Sequence, residues 1–442
     1  MISTLKKTWK SGNLKDKLLF TILIMIVFRI GSIIPIPFLD PHALKMFVSN
    51  MSGVGALMSY LDALSGGAFA HATLFAMSIQ PYINAQIMMQ LLTYSIPFLE
   101  AIQREGEEGH RRIMAITRGL TVVISIMQGF GYYSLLRSRG TAGVSIIKYT
   151  QGFEGVFTML VIVSVFTAGS ALMMWLGEQI NEKGIGNGVS IMMFAGIVSR
   201  MPSLVTQLGA YLYFAITQPA EYWKFYIFVA VFILTFLGMM WLIVFTNDAE
   251  RRIPIQYAKR VVGRKMFGSE NSYLPFKIGL AGVMPVVFAS TILGVPTIVS
   301  LFLNPSGFFK KVLGLFSMDS WFYTVVFFFL IIFFAYFYVS ITYNPIEISN
   351  NLRQSGGAIP GLRPGRTTTL YLTKVLNYVI FTGALFLAFI SIFPIFFISF
   401  PELRNLSISG TSIVILVGTA LETIKILESQ TAMKQHKGFL DA

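Results

Sequence analysis

The side chains able to do covalent or metal chemistry are few and scattered along this chain. The four histidines, His42, His71, His110 and His436, form no His-Glu-x-x-His pair, and none pairs with a serine in an apolar stretch. There is no Gly-x-Ser-x-Gly, and the carboxylates inside apolar runs are too few for an aspartyl dyad. Cysteine is absent, which removes thiolate nucleophiles, zinc thiolates and disulfides. The reading is therefore not an enzyme: no catalytic residue, no cofactor and no metal are expected. Polar chemistry of another kind collects in residues 61–96, LDALSGGAFAHATLFAMSIQPYINAQIMMQLLTYSI. An apolar segment too short to span a bilayer is broken by Ser65-Gly66-Gly67. It runs into a membrane-length segment carrying Gln80, Pro81, Asn84, Gln86 and Gln90. Non-helical backbone and polar side chains at membrane depth survive only beside protein or a water-filled cavity.

Gln86, Gln90 and Thr93 share one helical face at i, i+4 and i+7. Gln128 lies in a later apolar run, and Ser290 with Thr291 in another. These residues suit ordinary polar glue between helices, at about 0.6 kcal/mol per contact. They suit equally a seam weak enough to part.

The elements that must position them follow from composition. The 442 residues are 55% hydrophobic and 12% charged, with 40 phenylalanines and a formal net charge of +14. That is an all-α polytopic membrane protein. Apolar runs near 18–38, 73–96, 113–136, 154–176, 185–216, 224–246, 275–302, 321–343, 370–393 and 407–428 give ten transmembrane helices. The fifth is the weakest, because Arg200 and Pro202 interrupt it. Lys6, Lys7, Lys10, Lys15 and Lys17 precede a first run too long for a signal-peptide core, so a retained span is expected. By span count the chain divides into two inverted halves, 1–218 and 219–442. With the N-terminus inside, 24 lysines and arginines fall on the cytoplasmic side and 9 outside, and Arg29 lies within a span. The positive-inside rule then places both termini in the cytoplasm.

Two basic cytoplasmic loops, 247–277 and 344–374, are longer than a connector requires. They set topology and touch anionic membrane lipids, or they dock an acidic soluble partner or ribosomal RNA. Pro81, Pro285 and Pro296 interrupt the second and seventh spans, as static kinks or as hinges. Arg29 suits a brace against a backbone carbonyl better than an ion site. In GEQINEKGIGNGVSI (177–191) the glycines suit a tight turn and close helix approach.

An ordered series of motifs resembles the SecY family of bacterial protein-conducting channels. FRIGSIIPIP (28–37), SGGA (65–68), PYI (81–83), QLLT (90–93) and REGEEGHRR (104–112) carry it in the first half. WLGEQINEKGIGNGVSI (175–191), RRIPIQYAKR (251–260), NPIEISNNLRQSGGAIPGLRPG (344–365) and GTS (410–412) continue it. The resemblance implies a clamshell of two pseudo-symmetric halves around an hourglass pore, closed by a plug helix at 61–72. That plug would include Leu61, Leu64, Ser65, Gly66, Gly67 and Phe69, and its glycines suggest that it is held loosely. It implies an apolar pore ring of Ile79, Ile83, Val189, Met193, Val287 and Ile415. Val189, Met193 and Val287 depart from the isoleucine that the family favours there. The family's lateral gate would fall on the seam residues Gln86, Gln90, Thr93, Gln128, Ser290 and Thr291. Partner docking would fall on Arg251, Arg252, Arg264, Lys265 and Arg363. Phe38 stands where many members have glycine, and His110 where arginine is common. Expected partners are SecE, SecG, the motor SecA, the ribosome, signal peptides and nascent chains, in the bacterial cytoplasmic membrane. A secondary transporter is the main alternative, but the spans lack organised carboxylates for ion coupling.

Overall fold

In the computed structural model, residues 12–44, 62, 65–138, 146–218, 223–257, 260–262, 265–267, 272–303, 308–316, 320–395 and 410–440 are described. Long apolar runs become long helices. In chain order these are α1 (Gly12–Gly31), α2 (Gln80–Ser95), α3 (Pro97–Arg104), α4 (Glu107–Ser138), α5 (Gly152–Lys183), α6 (Gly188–Thr217) and α7 (Lys224–Asp248). They continue with α8 (Met284–Leu303), α9 (Phe308–Leu315), α10 (Trp321–Thr342), α11 (Pro345–Gln354), α12 (Arg366–Ile392) and α13 (Gly410–Leu440). Among the described residues, six helices are long and apolar enough to cross a membrane, and Met284–Pro296 is a shorter apolar one. Large apolar side chains such as Leu234, Trp241, Phe329 and Tyr378 point outward, an arrangement that suits lipid and not water. The fifth run is one helix despite Pro202.

α2 packs on α4, α4 on α5, α8 on α10 and α10 on α12. α13 joins early and late helices by packing on both α6 and α7, and α4 meets α8. A large apolar core gathers residues from α1, α2, α5–α8, α10, α12 and α13. A smaller core lies between 36–44, 69–77 and one end of α4 and α5.

Several boundaries differ from the sequence expectation. The second run becomes helical only at Gln80, and residues 65–79 form successive turns. Gly66, Gly67, Ala72 and Ser78 all take positive φ there, which a helix does not tolerate. Residues 65–72 are therefore not helical as the plug expectation had them, while Asp62 is. Pro81 sits in the first turn of α2 and Pro285 is the second residue of α8. Proline is favoured at a helix start, where its missing N–H costs nothing, so neither is a kink or hinge. Pro296 alone of the three lies inside a helix.

Within this helical fold the two basic loops carry short strands. The strand β1 (Glu250–Tyr257) pairs antiparallel with β4 (Ser272–Lys277), with Ile253 opposite Leu274. Ile253, Ile255 and Phe276 are buried while Arg251, Arg252 and Gln256 are exposed, and that alternation is what a half-buried strand requires. β2 (Arg260–Val262) and β3 (Lys265–Phe267) form a separate hairpin. β5 (Gly357–Ala358) pairs with the far end of β1, joining Gln256 to Ala358 and Tyr257 to Gly357. The two basic loops are thus one structure.

After α1 the IPIP segment runs between two neighbours. The Ile36 amide donates to Ala72 and the Leu74 amide to Ile34, while the Asp40 amide donates to Ile146 and the Lys148 amide to Phe38. Phe38 holds φ 67, the left-handed region in which glycine is unstrained. Its ring stands edge-on to Tyr149 and Phe157 at 6.0 and 6.4 Å. Phe38→Ala keeps the strain and loses the ring contacts, so it should cost about 1–3 kcal/mol in thermal unfolding. Phe38→Gly relieves the strain and should recover about 1 kcal/mol of that loss. A glycine variant no more stable than the alanine variant would show that the backbone strain is not real.

Candidate pore, plug and seam

Two tight approaches build the candidate ring. α5 and α6 meet where a Cβ on Gly188 would lie 1.9 Å from the Gly177 carbonyl oxygen. The intervening turn is fixed by side chains. Asn181 Oδ1 accepts from the Gly188 amide at 2.7 Å, and Thr21 Oγ1 of α1 accepts from the Ile185 amide at 3.2 Å. Asn187 caps α6, accepting from the Val189 and Ser190 amides, which satisfies donors that the first turn leaves open. Val189 and Met193 then share one face of α6, one turn apart. Gly177 also makes room for Ile79, whose Cδ1 would lie 3.3 Å from a Cβ there. On the other side, a Cβ at Gly418 of α13 would lie 2.5 Å from Val283 Cγ2, so α13 approaches the start of α8 closely.

Ile79, Ile83, Val189, Met193, Val287 and Ile415 are each at most 4% exposed and all belong to the same apolar core. Four different helices or helix starts contribute them. No polar group of the six faces that core, so they can exclude water but bind nothing by hydrogen bonding.

Leu61 and Leu64 lie outside the described residues. The rest of the candidate plug is held by directed contacts, contrary to the loose attachment its glycines suggested. The Ser65 hydroxyl donates to the Asp62 carbonyl at 3.1 Å and accepts from the Phe69 amide at 3.1 Å. Phe69 packs edge-on to Tyr132 of α4 at 5.5 Å, in the smaller core away from the ring. Ala68, fully buried, is the plug residue that joins the ring's core. Gly66 takes φ +69 and nests on α6, where a Cβ would lie 2.4 Å from Ser199 Oγ. Arg29 does brace a carbonyl: its Nη1 donates to Gly66 O at 3.2 Å.

The sequence reading missed three residues here. Ser199 Oγ also donates to Gly66 O at 3.2 Å, and Arg200 Nη1 pairs with Asp62 Oδ2 at 3.2 Å. It also missed Arg118 of α4, whose Nε donates to the buried Glu178 of α5 at 2.9 Å. The available signal was a charge set in an apolar run, which demands a partner.

At the candidate seam, Gln86, Gln90 and Gln128 are half-buried. The Thr93 and Ser290 hydroxyls donate back within their own helices, to Met89 and Val287. Asn84 Oδ1 and Thr291 Oγ1 are buried without a hydrogen-bond partner. One contact between α2 and the late helices is aromatic: Tyr94 stands edge-on to Phe337 of α10 at 5.8 Å. Behind it, Phe334 meets Phe337 at 6.4 Å and Phe288 of α8 at 5.8 Å.

On the basic face, Arg251 and Arg252 are exposed on β1, and Arg252 Nε pairs with Glu250 at 2.6 Å. Arg363 is exposed at a loop tip whose backbone is pinned, because its carbonyl accepts from the Thr367 and Thr368 hydroxyls at 3.0 Å. Arg264 lies outside the described residues, and Lys265 is described only as backbone of β3.

Comparison with known proteins agrees in family and fold. The chain is 40% identical over 444 residues to the protein translocase subunit SecY of Streptomyces coelicolor, covering all of both chains. It is 39% identical over 447 residues to that of Thermotoga maritima, covering all of this chain and 98% of the relative. Among solved structures it is similar in fold to a SecY protein described by its plug domain (TM-score 0.60, 15% identity, 96% of this chain and 94% of that one). It is similar likewise to Sec61 from a canine ribosome–channel complex (TM-score 0.58, 13% identity, 96% and 94%). The family profile described as SecY matches residues 73–424, and the chain belongs to the SecY family.

Proposed function

We propose that this chain is the central subunit of a protein-conducting channel. It translocates unfolded polypeptides and releases transmembrane segments sideways into lipid. Six apolar side chains from four helices or helix starts, all buried in one apolar core, are the observation that carries this reading. An apolar constriction blocks ions by dewetting and offers a passing chain no hydrogen bond to hold it. Val189, Met193 and the isoleucines can yield and reseal around side chains of varied size.

Ten spans in two halves, 1–218 and 219–442, are the architecture we infer, with both termini on the cytoplasmic side of the bacterial inner membrane. The excess of lysine and arginine on one face supports that orientation. Residues 61–72 are the plug. α2 and α4 against α8 and α10 form the lateral gate, closed at one end by Tyr94 and Phe337. Likeness to a translocase subunit and to channels bound to ribosomes supports SecE, SecG, SecA and the ribosome as partners. Energy comes from SecA or from ribosomal elongation.

The test is reconstitution with SecE and SecA, scored by ATP-dependent protection of a preprotein. Absence of protection, together with ion-driven uptake of a small solute, would overturn the channel reading in favour of a transporter. The joined basic loops supply the docking platform. Arg363→Glu places a repulsive charge at its pinned tip. It should lower SecA-dependent protection at least about tenfold, the equivalent of about 1.4 kcal/mol, while assembly with SecE is unchanged. Equal protection by the variant would remove Arg363 from the docking surface.

A further inference from the structure

The Asp62 carboxylate is 7% exposed, next to a segment that carries no other charged group. A buried carboxylate is costly unless each oxygen finds a partner. Both do: Oδ1 accepts from the Ala70 amide at 2.7 Å, and Oδ2 pairs with Arg200 at 3.2 Å. One residue thereby closes the 62–70 turn on itself and ties that turn to α6. A short distance along, the Gly66 carbonyl accepts from Arg29 of α1 and from Ser199 of α6. The positive φ of Gly66 permits this close seat on α6, where any Cβ would strike Ser199.

We infer that Asp62, Arg200 and Arg29 form a charged latch that positions the plug in the closed channel and sets the threshold for its release. The inference rests on reading 61–72 as the plug. Its directed contacts run to α1 and α6, both on the same side of the candidate seam. Parting α2 and α4 from α8 and α10 therefore leaves these contacts intact, and the plug leaves only when they break. Removing Arg200 takes the cation from beside the buried Asp62 carboxylate, and removing the Asp62 charge unties the turn from α6; each shifts the closed population. Arg29 and Arg200 act here as positioning residues: they touch the plug, not the transported chain.

The full-length channel, reconstituted with SecE in planar bilayers without substrate, tests this. Asp62→Asn and Arg200→Gln should each raise resting ion conductance at least about tenfold over the unaltered channel. Arg200→Lys keeps the cation opposite Asp62 and should leak less than Arg200→Gln, a rescue that general damage to α6 at this position would not give. Unchanged conductance in both single variants, or equal leaks from Arg200→Lys and Arg200→Gln, would each overturn the latch. Preprotein protection by the unaltered channel, measured in parallel, separates this from the channel reading itself. Translocation without a latch effect sinks only the latch, and no translocation sinks the channel.

Discussion

Replacing Ile83 and Ile415 with glycine together should raise the resting ion conductance of the reconstituted channel, and replacing both with leucine should not. Ile83 stands on α2 and Ile415 on α13, and both are buried in the same apolar core. Glycine removes the apolar bulk that keeps the constriction dry, and a wetted constriction conducts. Leucine keeps both volume and polarity, at a cost usually under about 1.5 kcal/mol per site. The comparison matters because an Ile-to-small change in a core also costs about 2–5 kcal/mol of stability. Thermal unfolding of the complex is therefore measured beside conductance. Glycine and unaltered channels with equal conductance would show that the seal lies elsewhere.

Gly188→Val has the second large effect. Its Cβ would lie 1.9 Å from the Gly177 carbonyl oxygen, backbone against backbone, so no side chain can move aside. α5 and α6 must separate. That displaces Val189 and Met193, and it also moves Gly177 from the place where Ile79 rests. A loss of about 3 kcal/mol, the upper end for overpacking, is expected in thermal unfolding, together with a raised leak. Gly209→Ala on the same helix is the control, since nothing lies within 4 Å of its added Cβ. It should be neutral or stabilising by up to about 1 kcal/mol. Equal behaviour of the two variants would show that α5 and α6 do not meet as described.

Runs of apolar residues made the long helices legible, because length and hydropathy alone decide whether a segment can cross lipid. Their ends were less legible. Pro81 and Pro285 read as interruptions in a sequence, yet each opens a helix, and only the observed first turn distinguishes the two. The sheet went unread because ERRIPIQY mixes a strand's alternation with a charge run that suggests a solvated loop. The candidate ring positions came from the resemblance to the SecY family, carried over at its motifs, and all six fall in one large core. Asp62 and Arg200 could not be joined from sequence: each looked like an isolated charge, and only the nesting of the 65–72 turns on α6 brings them together. The polar face of α2 was visible, but a contact from α2 to α10 is made by Tyr94, one residue beyond Thr93.

The pairing of β5 with β1 has a mechanical consequence. β1 continues from α7, and β4 leads through a short turn into α8. That turn is itself clamped: the Ile278 amide donates to Ala249, and Gly383 of α12 lies against the Ile278 carbonyl. Force applied at the 344–374 loop therefore has a hydrogen-bonded path through β5, β1 and β4 to the root of α8, the helix that carries Val287 and packs on α4.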